Sequence, residues 1–263
     1  MTERARGRVR RRRGAGIGIK TEAEIAAMRR AGRVVAEVLE ALNGVVGPGV
    51  ETAEIDRVAD ELICARGAAP SFKGYNGFPA SACTSVNDEV VHGLPGHRVL
   101  REGDIIGVDV GAIVDGYHAD AAATYAVGAI APPVRRLVRV TKEALFEGIA
   151  QARAGRTVRD IARAVQARAE GSGYSVVREL VGHGIGRDMH EPPQVANYEE
   201  GASDLELRAG MTLAIEPMVN EGTSDIVRDA DGWTFRTRDG SLSAHWEHTV
   251  VVREGGAEII TSL

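Results

Sequence analysis

Residues 105–126 read IIGVDVGAIVDGYHADAAATYA, two apolar stretches on either side of the dipeptide Asp115-Gly116. Asp-Gly is a preferred two-residue hairpin turn of type I′, in which both residues take positive φ. A turn at that position pairs Val114 with Tyr117. The stretch therefore predicts an antiparallel hairpin, and the turn fixes the pairing of every residue in it.

This register places two acidic residues on one face of the hairpin. Asp109 faces Ala122 and Asp120 faces Gly111, so the two carboxylates are diagonal neighbours about 5–8 Å apart. Carboxylates that project together among apolar side chains repel each other unless a positive charge lies between them or one of them is protonated. A divalent cation relieves this repulsion better than protonation does, which makes the hairpin a candidate metal site.

Three further segments offer ligands of the same kind. His183 lies among glycines in VGHGIG, residues 181–186. Glu216 ends the apolar run LAIEP, residues 213–217, and Glu247 directly precedes a Val-rich run. With the hairpin they supply four carboxylates and one imidazole. Four negative charges balance two divalent ions, so the set favours a two-metal hydrolytic site.

The segments around the hairpin predict helices. Thr21 and Glu24 form a capping box that opens an amphipathic helix, which a glycine turn separates from a second helix. The same helix–glycine–helix pattern returns 106 residues later, which suggests two related halves that meet near residues 131–134. Helix pairs followed by runs of strands indicate an α+β architecture. The positions that correspond are Leu39 and Leu145, Gly49 and Gly155, and Ile55 and Ile161.

The composition excludes several classes of protein. The 263 residues are 44% hydrophobic and 26% charged, which is typical of a globular chain and not of a disordered or fibrous one. No uncharged stretch is long enough to span a membrane, so no membrane partner is expected. With only two cysteines a disulfide framework is excluded, and a reducing cytoplasm is the expected compartment.

The N-terminus differs from the rest in charge. Residues 1–20 hold eight basic residues against Glu3, a net +7, so residues 21–263 carry −12 of the overall −5. We interpret residues 1–18 as a disordered, solvated arm and residues 19–263 as a single catalytic domain. The alternative for the arm is contact with nucleic acid, because clustered arginines neutralise phosphates.

The ordered set of ligand candidates resembles the dinuclear site of the pita-bread metallopeptidases. The surrounding motifs are similar to those of the type I methionine aminopeptidases, from about Ile19 to the C-terminus. The resemblance implies a pita-bread fold of two pseudo-symmetric halves around a central antiparallel sheet covered by helices. The four motifs are VHGLPG at 91–96, DVGAIVDGYHAD at 109–120, GHGIGRDMHEPP at 182–193 and SLSAHWEHT at 241–249.

The resemblance also implies roles for the ligand set. Two divalent ions, of cobalt, manganese, iron or zinc, would be held by the five residues. Asp109 would chelate one ion, and His183 with Glu216 the other. Asp120 and Glu247 would bridge the two. Glu216 would also accept a proton from the attacking water.

Other residues of the motifs would bind the substrate. His92 would lie near the scissile nitrogen, and His190 would donate to the carbonyl oxygen. Three positions depart from what the family usually has: Phe72, Met189 and His245. The methionine side chain would enter a slot lined by Tyr75, Phe78, Cys83 and Trp233.

The implied function is removal of the initiator methionine from nascent proteins whose second residue is small. The partners would be nascent-chain N-termini and, through the arm, the ribosome, and the protein is expected to be a monomer. One alternative is another pita-bread peptidase, such as aminopeptidase P, which cleaves before proline. A second is a non-catalytic relative that binds ribosomes or RNA, which would be expected to lack at least one of the five ligands.

Overall fold

The computed structural model describes residues 16–263. These residues form four α-helices, two short 3₁₀ turns at Tyr75–Gly77 and Glu199–Gly201, and fifteen strands. The helices are α1 Glu22–Leu42, α2 Thr52–Ala65, α3 Pro132–Gln151 and α4 Val158–Glu170. The strands are β1 Ala69–Pro70, β2 Ala82–Val86, β3 Glu89–Val91, β4 Ile105–Val114, β5 Tyr117–Ala126, β6 Ser175–Val176, β7 Gly182–Gly184, β8 Glu191–Val195, β9 Thr212–Ile215, β10 Met218–Asn220, β11 Ile226–Arg228, β12 Phe235–Thr237, β13 Ser243–His245, β14 His248–Val252 and β15 Ala257–Ile259.

The hairpin of β4 and β5 has the predicted register. Val114 pairs with Tyr117, and the pairing continues without a shift through all ten positions of the two strands. The turn residues Asp115 and Gly116 have φ of 52° and 75°, as a type I′ turn requires. The two aspartates at 109 and 120 therefore lie on one face, and the prediction from the Asp-Gly turn is confirmed.

The two predicted helix pairs are also present. Thr21 caps α1 through a complete capping box with Glu24. Helix α2 begins at residue 52 and α4 at residue 158, which is the predicted spacing of 106. Gly49 and Gly155 precede them with φ of 89° and 80°, a conformation that favours glycine. The internal repeat therefore extends to the backbone conformation of the turn.

The strands form two larger sheets and two smaller ones, and every pair of strands is antiparallel. One larger sheet has the order β1-β4-β2 with β5 beside β4, and the other has the order β15-β14-β9-β7-β8. Backbone hydrogen bonds between Ala122 and Glu247 connect them, at 3.0 and 3.4 Å. This junction joins the edge of β5 that does not pair with β4 to the segment directly before β14 in the second half.

Each helix pair covers one of these sheets with its own apolar core. Ile55, Ile63 and Ile106 belong to the core of the first half, and Ile161 and Leu213 belong to the core of the second. At ~25 cal/mol per Å² of buried apolar surface, cores of this kind supply the main stabilisation of a fold. They also hold the connecting strands rigidly enough to position a site between them.

Two predictions concern membrane spans and the division of the chain into an arm and a domain. No helix within residues 16–263 has both the length and the apolar composition that crossing a membrane requires. The predicted arm of residues 1–18 lies, apart from its last three residues, outside the described residues. The division into that arm and a domain of residues 19–263 stays a prediction.

Candidate metal centre and substrate pocket

A small cavity of about 160 Å³ lies where the two halves meet. It contains all five ligand candidates, both candidate catalytic histidines and all four candidate pocket residues. The structure therefore brings together every site residue that the sequence indicated. The lining residues are Phe72, Tyr75, Asn76, Phe78, Cys83, His92, Asp109, Asp120, His183, Met189, His190, Glu216, Trp233 and Glu247.

The five ligand candidates form the polar end of this cavity. Ligand atoms of Asp120, His183 and Glu247 all lie within 4.8 Å of one another. Asp109 is a diagonal neighbour of Asp120 across the β4–β5 hairpin, because Asp109 pairs with Ala122 and Asp120 pairs with Gly111. On the other side, Nε2 of His183 is 3.6 Å from Oε1 of Glu216. The cluster is thus continuous from Asp109 to Glu216.

Burial and mutual repulsion make the charged forms of these carboxylates unfavourable. Burial raises the pKa of Asp109 to about 7. The pKa of Asp120 is raised well above its ordinary value by burial and by the charge of Asp109. The pKa values of Glu216 and Glu247 are also raised well above their ordinary values, mainly by burial. Four such groups can be ionised together only if cations share the site.

Unsatisfied polar atoms show that the cluster fits a cation. Within residues 16–263, Oδ1 of Asp109, Oδ1 of Asp120 and Oε1 of Glu247 are buried without a hydrogen-bond partner. Native proteins rarely leave buried carboxylate oxygens unpaired, because the desolvation cost is large. Oxygen-rich ligation with one imidazole is typical of Mn²⁺, Fe²⁺ or Co²⁺ sites rather than of structural zinc. The residues present therefore fit divalent metal ions.

The histidine is oriented for ligation. Nδ1 of His183 is 2.9 Å from the carbonyl oxygen of Gly184, to which it donates. Burial and the neighbouring His190 lower the pKa of His183 to about 3, so the ring is neutral at physiological pH. A neutral imidazole whose Nδ1 carries the proton leaves Nε2 with a free lone pair. That is the nitrogen that faces Glu216.

Backbone contacts hold the acidic ligands in place. The hydroxyl of Thr249 donates to the carbonyl oxygen of Asp120 at 2.7 Å and accepts from its N–H at 3.0 Å. The amide of Asn197, a fully buried side chain, donates to the carbonyl oxygen of Glu216 at 3.1 Å. These contacts fix Asp120 within β5 and Glu216 directly after the end of β9.

His92 has a strained backbone. Its φ is 58°, which is uncommon for a residue other than glycine and clusters at functional sites. The next residue must be glycine, since a Cβ on Gly93 would lie 2.2 Å from the carbonyl oxygen of Thr84. The His92 ring packs edge-on against Phe235, with ring centroids 5.8 Å apart. Burial lowers the pKa of His92 to about 4, so it enters the cavity as a neutral ring.

Apolar side chains form the opposite end of the cavity. Phe78 and Trp233 contact each other edge to face, with ring centroids 5.2 Å apart. Phe72, Cys83 and Met189 are buried in the same cluster. Burial raises the pKa of Cys83 well above its ordinary value, so the thiol stays protonated and serves as a wall. The replacements at positions 72 and 189 keep this wall apolar.

Two features of the site were missed by the sequence analysis. Asn76 lines the cavity with φ of 49°, and the Gly74 and Gly77 on either side of it were the available signal for such a turn. For His245, the sequence indicated only a departure from the residue that the family usually has. His245 is buried, and its Nε2, which has no hydrogen-bond partner among the described residues, lies 3.9 Å from Oε2 of Glu216.

Comparison with known proteins agrees with this geometry. The pattern of metallopeptidase family M24 matches residues 26–254. A methionine aminopeptidase of Clostridium acetobutylicum is 51% identical over 93% of this chain and 98% of its own length. The chain belongs to the methionine aminopeptidases of family M24. The Escherichia coli K12 methionine aminopeptidase is 45% identical over 93% of this chain and 94% of its own.

Solved structures confirm the pita-bread fold. The crystal structure of a methionine aminopeptidase from Thermotoga maritima superimposes with a TM-score of 0.92 at 45% identity, covering 94% of this chain and all of that one. An X-Pro aminopeptidase of the same organism gives a TM-score of 0.74 at 21% identity and is covered over only 62% of its length. The second likeness shows the fold alone. The chain is thus a methionyl aminopeptidase of family M24. The alternative of a proline-directed peptidase is not favoured.

The stability of the metal-free protein should depend on pH in a way that tests the carboxylate cluster. Groups with raised pKa keep their protons in the folded chain at pH values where the unfolded chain has lost them. They therefore stabilise the fold at low pH, and that stability is lost as pH rises through the folded values. The buried histidines, with lowered pKa, act in the opposite direction but only below about pH 6.5, where the unfolded chain is protonated.

The informative window therefore runs from about pH 6.5 to 8.5. Each carboxyl group that keeps its proton in the folded chain there, while the unfolded chain has lost it, removes up to about 1.4 kcal/mol per pH unit, so the Tm of the EDTA-treated protein should fall by several degrees. Protein saturated with Mn²⁺ should show a smaller change, because its carboxylates stay ionised. In the metal-free Asp109→Asn variant the slope should be shallower. A metal-free Tm that is constant or rises across this window would contradict the assignment of raised pKa values.

Proposed function

We propose that this chain removes the N-terminal methionine from nascent proteins whose second residue is small, with two divalent metal ions held by the five buried ligands. Asp109 would hold one ion, His183 with Glu216 the other, and Asp120 with Glu247 would bridge them. The observation that carries the proposal is the cavity itself. It is lined by unpaired carboxylates at one end and by apolar side chains at the other.

The apolar end suits methionine. A thioether side chain is flexible and polarisable and makes favourable contacts with aromatic rings. Phe78, Trp233 and Cys83 provide such a wall, with Tyr75 at the rim. The volume of about 160 Å³ suits the binding of a single side chain. The substrate would therefore bind with its first peptide bond at the carboxylate cluster.

The polar residues would then divide the chemistry. Divalent ions at such a site lower the pKa of bound water and polarise a carbonyl group. Glu216 lies at the edge of the cluster and would accept the proton of the attacking water. His190 would donate a hydrogen bond to the carbonyl oxygen as negative charge develops on it. His92 would contact the scissile nitrogen and orient the leaving amine.

A peptide panel tests this proposal. Purified protein, reconstituted without oxygen with Mn²⁺, Fe²⁺, Co²⁺ or Zn²⁺ in turn, is given short peptides that begin Met-Ala, Met-Lys and Ala-Pro. We expect release of methionine from Met-Ala alone, loss of activity on chelation and its return with metal. Cleavage of the Ala-Pro peptide would favour a proline-directed peptidase.

Metal analysis separates the enzyme from a non-catalytic relative. All five ligands are present, whereas a protein that only binds RNA or ribosomes would have no need of them. We expect close to two equivalents of metal per chain after anaerobic reconstitution. Near-zero binding, together with inactivity on all three peptides, would contradict the enzymatic proposal.

Association with the ribosome belongs to the same proposal. The substrate emerges there, and the seven arginines of residues 4–13 would bind ribosomal RNA electrostatically. A monomer in the cytoplasm would meet its substrates in this way. The acidic remainder of the chain, at −12, would by itself be repelled by phosphate.

Deletion of residues 2–16 should separate catalysis from ribosome binding. Among residues 16–263, those that line the cavity all lie between positions 72 and 247, so kcat/KM on a Met-Ala peptide should stay within about twofold. Binding to purified ribosomes should weaken most at low salt, and binding of the intact protein should fall steeply as salt rises. Cosedimentation across a salt series measures both forms. Equal binding by both would show that the arm makes no contribution.

A further inference from the structure

The side chain of Tyr75 contacts the candidate oxyanion donor. Its hydroxyl oxygen lies 2.8 Å from Nδ1 of His190. The two rings are also stacked, with centroids 5.3 Å apart and planes inclined by 28°. Within residues 16–263 this hydroxyl is the one hydrogen-bond partner of the His190 ring. Tyr75 therefore contacts His190 through both the face of its ring and its hydroxyl oxygen.

A neutral imidazole carries its single N–H on one nitrogen or the other, and only that nitrogen can donate. We propose that the Tyr75 hydroxyl donates to Nδ1 of His190 and so keeps the proton on Nε2, the nitrogen that can then donate to the substrate carbonyl. Tyr75 is thus a positioning residue for the reaction, in addition to forming part of the pocket rim. The inference rests on the proposed role of His190.

The local backbone holds Tyr75 in position for this contact. The N–H of Tyr75 donates to the carbonyl oxygen of Phe72, and its carbonyl oxygen accepts from the N–H of Phe78, both at 2.9 Å. Gly74 and Gly77, with φ of 87° and 88°, permit the tight turn between these bonds. Burial raises the pKa of Tyr75, so its hydroxyl keeps the proton that it donates.

A hydrogen bond in the opposite direction, from His190 to Tyr75, would be unproductive. If Nδ1 of His190 carried the proton and donated to the tyrosine oxygen, Nε2 would present a lone pair to the developing oxyanion. Two electron-rich atoms would then face each other in the transition state. Second-shell partners fix imidazole tautomers in this way at metal sites, and the same physics applies to a hydrogen-bond donor.

Kinetics of Tyr75→Phe provide the first test. Phenylalanine keeps the ring and its stacking and removes only the hydroxyl. We expect kcat on Met-Ala to fall about tenfold while KM stays within about twofold, because the loss acts in the transition state. Tyr198→Phe, a matched change outside the cavity, should leave both constants unchanged. In a His190→Ala background, Tyr75→Phe should cause no further loss.

NMR with ¹⁵N-labelled histidine provides a test that does not depend on activity. The His190 ring signals, identified by their absence in His190→Ala, should show Nε2–H in the metal-free wild type and a mixture of tautomers in Tyr75→Phe. An Nδ1–H tautomer in the wild type, or an unchanged tautomer in Tyr75→Phe, would overturn the inference. So would an equal loss of kcat in the His190→Ala background. If the wild type cleaves no peptide, the proposed function fails, while NMR still decides the tautomer.

Discussion

Replacement of Glu216 by glutamine is expected to lower kcat by at least about 10²–10³-fold while the protein stays folded. The change keeps the shape of the side chain. It removes a negative charge from the ligand cluster and the carboxylate that would accept the proton of the attacking water. Because Glu216 is 3.6 Å from His183, the loss should also weaken the site that the two residues share.

The measurement is turnover of a Met-Ala peptide at saturating metal, with thermal unfolding of the same preparations. Glu254→Gln is the matched control, since Glu254 is exposed and the exchange is chemically the same. The control should retain wild-type turnover, and both variants should give cooperative unfolding. A Glu216→Gln variant that keeps more than a tenth of wild-type activity would contradict the role of Glu216.

Replacement of His190 by alanine should lower kcat far more than it weakens metal binding. A donor to the developing oxyanion acts mainly in the transition state, and its removal costs roughly 3–4 kcal/mol in comparable sites. His190 lies beside His183, with ring centroids 4.2 Å apart, but it is not one of the five candidate ligands. The metal ligands should therefore remain intact in this variant.

Calorimetric titration with Mn²⁺ and steady-state kinetics on the same samples distinguish the two effects. His97→Ala is the matched control, because the His97 side chain is 97% exposed and lies away from the cavity. The His97→Ala change should alter neither the Kd for Mn²⁺ nor kcat. If His190→Ala instead lost metal while kcat at saturating metal stayed unchanged, His190 would be a ligand and its assignment as a donor would be wrong.

Much of the fold was predictable from local sequence signals. The Asp115-Gly116 turn determined the register of the hairpin, because side chains alternate strictly along paired strands and a turn of known type fixes the first pair. The capping box at Thr21 and the repeat spacing of 106 residues located the helices, since capping and amphipathic periodicity act within a few residues. These rules need no knowledge of distant contacts.

The chemistry of the site was predictable in part. Asp109 and Asp120 were placed together by the hairpin alone, and buried like charges indicate a cation wherever they occur. The sequence indicated that His183, Glu216 and Glu247 are suitable ligands. Their convergence with the aspartates was an expectation that rested on resemblance, because each belongs to a separate segment of the second half.

The hairpin, the helix pairs and the identity of the ligand residues follow from the sequence, because each depends on residues close together in the chain. How the halves meet depends on the tertiary structure. It placed the hydroxyl of Tyr75 2.8 Å from Nδ1 of His190, 115 residues away, and Nε2 of His245 3.9 Å from Glu216. No periodicity or spacing encodes such contacts, since they result from the packing of two separate cores against each other across the Ala122–Glu247 junction.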